Sequence, residues 1–427
     1  MNFLFVMPEA GGNVPAQLTV ARCLVERGHS VHVLGDAAVE DEARAAGSSF
    51  SPFRHAPHHH MRSLTHDAVR DWEASNTIAS FKRYGDLMFF GPAAEYARDV
   101  LEAAKEVRPD AIAVDFMLFG ALIGAQKSGV PTAMIIHQPY TVPSPGASPV
   151  GFGLPKARGP LGRLRDALLR QIVLRSFGSG LPKLNAARVE HGLPPVANIV
   201  EHLTGHKLTL VLTSEAFDFV PDPLPEGVRY VGPQLDDPAW AAPWTSPWPE
   251  SNGDPMVLVS LGSTFQNQAA LVRRIIEALG ALPVRGLVTL GGQFEGEAFA
   301  PPRNVVVMPS APHAAVLPLA RAVVCHGGHG TVMKALSYGV PVACIPLGRD
   351  QHDNARRAEA CGAGIILGKR SSTQAIRTAV ADLVSDGPHR ASAARMKDLI
   401  ARDVESGAAA RELEALALGT RREGPRP

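Results

Sequence analysis

The chain has 427 residues, more than one compact core holds; at about 100–200 residues per domain it calls for two or three. Hydrophobic residues make up 45% and charged residues 19%, which excludes wholesale disorder, and 42 basic against 41 acidic residues give no field that would hold a nucleic acid. Four cysteines, Cys23, Cys325, Cys344 and Cys361, lie far apart without a CxxC pair, which speaks against a disulfide framework or a cysteine zinc site.

Met1 to Met7 is a short apolar run without a basic start, unlike a secretory leader, and no apolar run reaches the ~18 residues of a membrane span. The expectation is a soluble, cytoplasmic protein. Asn2–Met7 reads as a buried strand and Val14–Arg27 as a helix with Leu18, Ala21, Leu24 and Val25 on one face, closed by Gly28. Ser30–Leu34 is the next strand, Val39–Ala46 a helix and Ser49–Phe53 a third strand; Ala111–Phe116, Thr132–His137 and Leu208–Ser214 follow. Near-continuous apolar strands alternating with helices predict a parallel sheet covered on both faces.

Asp236–Asp254 breaks the pattern with four prolines and three tryptophans and no periodicity, and reads as an interdomain linker. The alternation restarts with strands at Met256–Leu261, Gly286–Leu290, Val305–Met308, Ala322–His326, Pro341–Pro346 and Gly364–Leu367. The fold class expected is therefore α/β, with two doubly wound, Rossmann-like domains. The boundaries are 1–235 for the first domain, 236–254 for the linker and 255–418 for the second, whose last helix is expected to pack back on the first, with 419–427 as a basic flexible tail. Arg54–Thr77, which holds five histidines, and Gln138–Pro160, rich in Pro, Gly and Ser, follow strands of the first domain. Ligands bind at the carboxyl ends of strands in such sheets, so both segments are candidate substrate loops. Ala157–Phe177 reads as a basic amphipathic helix, with Leu161, Leu164, Leu168 and Ile172 expected to face the acceptor cleft or the core.

Val323–Asn354 carries most of the chemistry. A buried strand turns through His326-Gly327-Gly328-His329-Gly330-Thr331 into a helix. Glycines let the backbone approach an anion closely, and the free N–H groups of a helix start face it with the positive end of the dipole. Thr331 adds a hydroxyl, His326 a ring N–H, and the Ser263-Thr264 turn after another strand offers further small donors. One strand on, Asp350-Gln351 pairs a carboxylate with an amide, which together accept from and donate to vicinal sugar hydroxyls.

The order HGGxGT…GVP…P…DQ…NA resembles the family 1 glycosyltransferases of the GT-B fold, in particular the bacterial branch acting on antibiotics and other natural products. Gly12-Asn13-Val14-Pro15 with the LTVARCLVERGHSVHVLG segment is similar to that family's opening strand–helix–strand, and Ser310–Pro318 to the loop that holds the base. The resemblance implies two domains facing across a cleft, a UDP- or dTDP-sugar on the second, a small hydrophobic acceptor on the first, and transfer with inversion. His326, Gly327, Gly328, Gly330, Thr331, Ser263 and Thr264 would hold the diphosphate, Asp350 and Gln351 the sugar, and Ala311 and His313 the pyrimidine. Gly12, His60 and His137 are the expected acceptor contacts. Neither metal nor cofactor is implied, since the cradle and helix dipole neutralise the leaving diphosphate. No nucleic-acid or membrane partner is expected, and the chain would act as a monomer or homodimer.

Two positions depart from the family pattern. Many members place a histidine base in the turn after the first strand, where this chain has Asn13, and an amide takes no proton at neutral pH. Asp115 stands where the partner carboxylate is expected and is the first candidate base; His137, Glu9 and the histidines of His55–His66 are the others. Lys334 occupies a position where glutamate often accepts from ribose, which leaves a deoxyribose donor open, unless Lys334 is a solvated helix residue. An inactive relative serving as an auxiliary nucleotide-sugar or partner-binding protein is the alternative that Asn13 raises.

Overall fold

The computed structural model describes the whole chain except residues 62–68, 74–76, 238–243, 249–252, 263–267, 292–293, 295–297, 406 and 423–427. The first domain is a parallel sheet of β1 (Asn2–Met7), β2 (Ser30–Gly35), β3 (Ser49–Pro52), β4 (Ala111–Asp115), β5 (Thr132–Ile136), β6 (Leu208–Val211) and β7 (Val228–Tyr230), in the order β3-β2-β1-β4-β5-β6-β7. β1, β4 and β5 are buried along nearly their whole length, because helices cover both faces and each face needs apolar side chains. One face packs Leu4, Val6, Ile112 and Val114 against the Ala93–Val107 and Phe119–Ser128 helices; the other packs Phe3, Phe5, Ala111 and Ala113 against Val14, Leu18 and Ala21.

The second domain is a parallel sheet of β8 (Met256–Ser260), β9 (Arg285–Thr289), β10 (Val305–Met308), β11 (Ala320–Cys325), β12 (Val342–Cys344) and β13 (Gly364–Ile366), in the order β10-β9-β8-β11-β12-β13. In both sheets the strand order reverses beside the first strand, between β1 and β4 and between β8 and β11. These are the crevices where doubly wound sheets bind ligands.

Several elements differ from the sequence reading. β7 was not expected, since three residues with one buried side chain give no periodic signal. β6 stops at Val211, and the Val342–Cys344 strand is shorter than the apolar run around it. The Ala408–Arg422 helix lies on the first sheet through Ala409, Ala410, Leu413 and Ala417, with Glu414 bonded to Arg27 and His29. That helix runs to Arg422, past the point where composition suggested a tail. The Gly159–Gly178 helix carries Pro160 in its first turn, and Leu161, Leu164 and Leu168 point outward, Leu161 at 82% exposure, while Ile172 lines the interdomain cleft. Its Leu174 and Phe177 pack on the core instead, so the apolar row read from the sequence is not the buried face.

The domains touch through side chains as well as the linker. Arg357 Nε donates to Asp218 Oδ1 at 2.6 Å, with both side chains buried. Asp353 accepts from the backbone N–H groups of Gly151 and Gly153, at 2.6 and 3.0 Å, tying the Gln138–Pro160 loop to the second domain.

Candidate active site in the interdomain cleft

The carboxyl ends of the two sheets face one cleft of about 910 Å³. On the second-domain side, β11 ends at Cys325 and the chain turns through His326, Gly327 and Gly328 into the His329–Ser337 helix. A Cβ on Gly327 would stand 2.8 Å from the Gln351 carbonyl oxygen, and its φ of +86° is left-handed, so glycine is required there. A Cβ on Gly328 would come within 2.3 Å of His326 Nε2. Gly328 caps the helix without a side-chain hydrogen bond, which leaves the N–H groups of the first turn without a side-chain cap among the described residues, and Gly330 has open space where a Cβ would stand. His326, Gly328, Gly330 and Thr331 line the cleft.

Burial lowers the His326 pKa to about 4 against the opposing pull of the Asp350 charge and the nearby Ser260 backbone, so the ring is neutral at physiological pH. Its Nδ1 is buried with no partner among the described residues. Gly262 lines the cleft opposite, 2.9 Å from His326 Nε2 if it carried a Cβ; Ser263 and Thr264, the expected second half of the cradle, lie outside the described residues.

Asp350 and Gln351 open the Gln351–Ala360 helix and line the same cleft. Asp350 accepts from Asn354 Nδ2 at 2.7 Å. Gln351 Oε1 accepts from the N–H groups of Leu347 and Gly348, at 2.7 and 3.1 Å, so its carbonyl shapes the loop and the amide nitrogen is left for a ligand. Ala311 and His313 line the far end of the cleft, where burial and the Lys334 charge lower the His313 pKa to about 4.

Lys334 is not a solvated residue: it is 9% exposed, and its Nζ donates to Asp237 Oδ1 at 2.7 Å. Burial works against the charge on Asp237, but Lys334 and the Ala314 N–H outweigh it and hold the carboxyl below its usual range. Both residues line the cleft beside His313.

The first-domain wall is apolar, with Trp72, Met88, Phe89, Phe116, Val150 and Phe177 among its side chains. Gly12 and His137 line it as expected, but His60 does not. It is exposed and stacks edge-on against His58, whereas His59 faces the cleft with Nδ1 3.0 Å from Asp36 Oδ2. In a run of three histidines without periodicity, the sequence gives no sign of which one turns inward.

Below this wall lies a polar cluster. Asp115, at the end of β4, is 0% exposed, and four donors converge on it. Gln17 Nε2 at 2.6 Å, His137 Nδ1 at 3.1 Å and Asn13 Nδ2 at 3.3 Å reach Oδ2, and the Met117 N–H at 2.9 Å reaches Oδ1. Asp115, read from the sequence as the first candidate for a base, therefore has no oxygen open to an acceptor. Asn13 is equally committed: its Nδ2 also donates to the Pro8 carbonyl and its Oδ1 accepts from the Ala10 N–H, so it braces the glycine turn. Gln17 was missed, although its place four residues after Asn13 puts both on one helix face.

A model of the C-terminal domain of erythromycin biosynthesis protein CIII-like proteins matches residues 273–416. The 4'-demethylrebeccamycin synthase of Lentzea aerocolonigenes is 31% identical over 404 residues, covering 91% of this chain and 92% of its own. A PGL/p-HBAD biosynthesis rhamnosyltransferase of Mycobacterium tuberculosis is 29% identical over 344 residues, covering 77% and 73%. Among solved structures, the kitacinnamycin glycosyltransferase superposes with a TM-score of 0.74 at 23% identity, over 99% of both chains. The calicheamicin glycosyltransferase CalG4 gives 0.73 at 23% identity, over 97% of this chain and 98% of its own.

Proposed function

This chain belongs to the glycosyltransferases of antibiotic and natural-product pathways, with the GT-B fold and an EryCIII-like C-terminal domain, and on that premise we propose that it moves a sugar with inversion from UDP or dTDP to a small, largely apolar aglycone. The observation that carries this reading is a single cleft with an uncapped, glycine-lined helix start and Asp350-Gln351 on one side and an aromatic wall on the other.

The diphosphate sits on the turn from His326 to Thr331. There the N–H groups of the first helical turn and the neutral His326 ring supply donors where charge grows as the leaving group departs. That preorganised field is what makes a metal unnecessary in this mechanism. Asp350 accepts from sugar hydroxyls and the Gln351 amide nitrogen donates to them, which turns the anomeric carbon toward the first domain. The acceptor oxygen then attacks from the side opposite the diphosphate, and a single displacement inverts that centre. Two fold neighbours, VinC and SpnG, were solved with dTDP or thymidine diphosphate, which supports a thymidine donor as one of the two nucleotides. The inactive-homologue alternative draws no support from relatives that are named as a synthase and a rhamnosyltransferase.

Calorimetric titration with UDP, dTDP and their glucose conjugates tests the reading. Binding of a nucleotide, strengthened by the sugar, with that strengthening lost on replacing Asp350 by Ala, is the expected result. No binding by any of the four ligands would refute it.

A further inference from the structure

Resting on the transferase reading above, we propose that His137 is the general base that takes the acceptor proton, and that Asp115 and Gln17 are positioning residues behind it. A carboxylate only accepts, so the 3.1 Å contact between His137 Nδ1 and Asp115 Oδ2 requires the proton on Nδ1. Nε2 makes no hydrogen bond to the described residues, so in the neutral ring, whose one proton is on Nδ1, it is the atom able to accept a proton. His137 follows the last residue of β5, Ile136, at the carboxyl end of the sheet; its ring stands 5.2 Å from that of Phe116 and lines the cleft, with its side chain 12% exposed. Asp115 is held in turn by the buried Gln17 amide, so the imidazole is braced by two layers of side chains.

The placement is right for the reaction. His137 lines the same cleft as His329, Asp350 and Gln351, so the imidazole shares one space with the proposed sugar subsite. The other imidazole–carboxylate pair at the cleft, His59 with Asp36, sits after β2, two strands away from β4 in the sheet. In the transfer, the acceptor O–H proton moves to His137 Nε2 as its oxygen bonds to the anomeric carbon. The bond from that carbon to the diphosphate oxygen breaks, and its electron pair leaves with the nucleoside diphosphate. Asp115 holds the imidazolium until it gives the proton to solvent. A base on β5 also accounts for Asn13: the position after β1 is free to brace the turn because the proton goes elsewhere.

The test uses the full chain with ¹⁵N-labelled histidine, UDP-glucose and dTDP-glucose as donors, and phenols of graded acidity as acceptors. In the wild type, the His137 resonances, assigned by their loss in His137→Gln, should report a protonated Nδ1 and a bare Nε2; Asp115→Asn should shift the ring toward the other tautomer. Transfer by His137→Gln should fall by about 10²–10⁴-fold on the least acidic phenols and far less on 4-nitrophenol, with nucleotide affinity unchanged. Added imidazole should return part of the rate to His137→Gly. A His137 protonated on Nε2 in the wild type, wild-type rates in His137→Gln across the series, or a loss seen in His59→Gln instead would overturn the proposal. A wild type that binds neither donor refutes the transferase reading instead, and the tautomer measurement still decides the His137–Asp115 pair.

Discussion

The two walls of the cleft are built from different materials. On the second domain, the site is backbone: a strand end, glycines whose missing Cβ atoms admit a histidine ring and a neighbouring carbonyl, and an uncapped helix. On the first domain it is side chains, where a buried Asp115 gathers Asn13, Gln17 and His137 beneath an aromatic wall. On the proposed function, backbone recognition of a diphosphate tolerates little change in sequence, since the turn itself would be the ligand-binding group. Side-chain recognition leaves a proton acceptor free to move from one strand end to another, provided a carboxylate lies between them. The donor wall should therefore break under small steric changes, and the acceptor wall under changes of chemistry.

The largest effect is expected where the walls are joined. Arg357→Met would leave Asp218 buried and charged with its guanidinium gone, although the Tyr140 N–H and Tyr230 hydroxyl still reach it. Removing one partner of a buried pair costs about 3–5 kcal/mol, so thermal unfolding should move down by many degrees. An unchanged melting temperature would mean that the domains are held by other contacts.

Next is a steric test of the donor wall. Gly328→Ala keeps an ordinary φ of −62° but drives a methyl into the His326 ring. Overpacking of this kind costs about 1–3 kcal/mol, and it should appear as weaker nucleotide binding with acceptor binding intact. Equal affinity in that variant would show that His326 is not part of the cradle. A finer test separates sugar from nucleotide: Gln351→Ala should weaken the intact donor more than the bare diphosphate, measured by competition. Because the Gln351 carbonyl also holds the Leu347 and Gly348 N–H groups, some loss for the bare nucleotide is expected as well. Equal losses for both ligands would remove Gln351 from the sugar subsite.

This contrast also explains what could be read without coordinates. The glycine turn into the His329–Ser337 helix, the helix start at Asp350-Gln351 and the alternation of both sheets are legible because each is a local pattern: glycines before a helix, or a run of apolar residues. The pairing of His137 with Asp115 is not, since it joins residues 22 apart on neighbouring strands through side-chain direction, which spacing does not report. The end of an apolar strand suggests an available carboxylate at Asp115, whereas the fold buries it among four donors. The outward row on the Gly159–Gly178 helix misled for a related reason. Helical periodicity says that apolar residues share a face, not which face meets the core.

The smallest effect is electrostatic. Burial raises the Asp353 pKa to about 6, against the hydrogen bonds from Gly151 and Gly153. The folded chain then holds this proton more tightly than the unfolded chain, so the Asp353 contribution to stability falls as pH rises from about 4 to 6. His313, His326 and His329, lowered by burial to about 4, act in the opposite sense: their contribution is complete above about 6.5 and is lost as pH falls through 4. Asp353→Asn, compared with the wild type over this window by denaturant unfolding, isolates the first term. The stability difference between the two proteins should change with pH between 4 and 6 and level off above. A constant difference would contradict the burial of a titrating Asp353.

The division of labour between the walls has one direct measurement, a calorimetric titration of UDP and dTDP into wild type, His326→Ala and His137→Gln. The account predicts that His326→Ala weakens nucleotide binding by roughly 1.5–3 kcal/mol, the scale of a hydrogen bond to a charged group, while His137→Gln binds the nucleotide as the wild type does. Wild-type affinity in His326→Ala, or an equal loss in both variants, would contradict it.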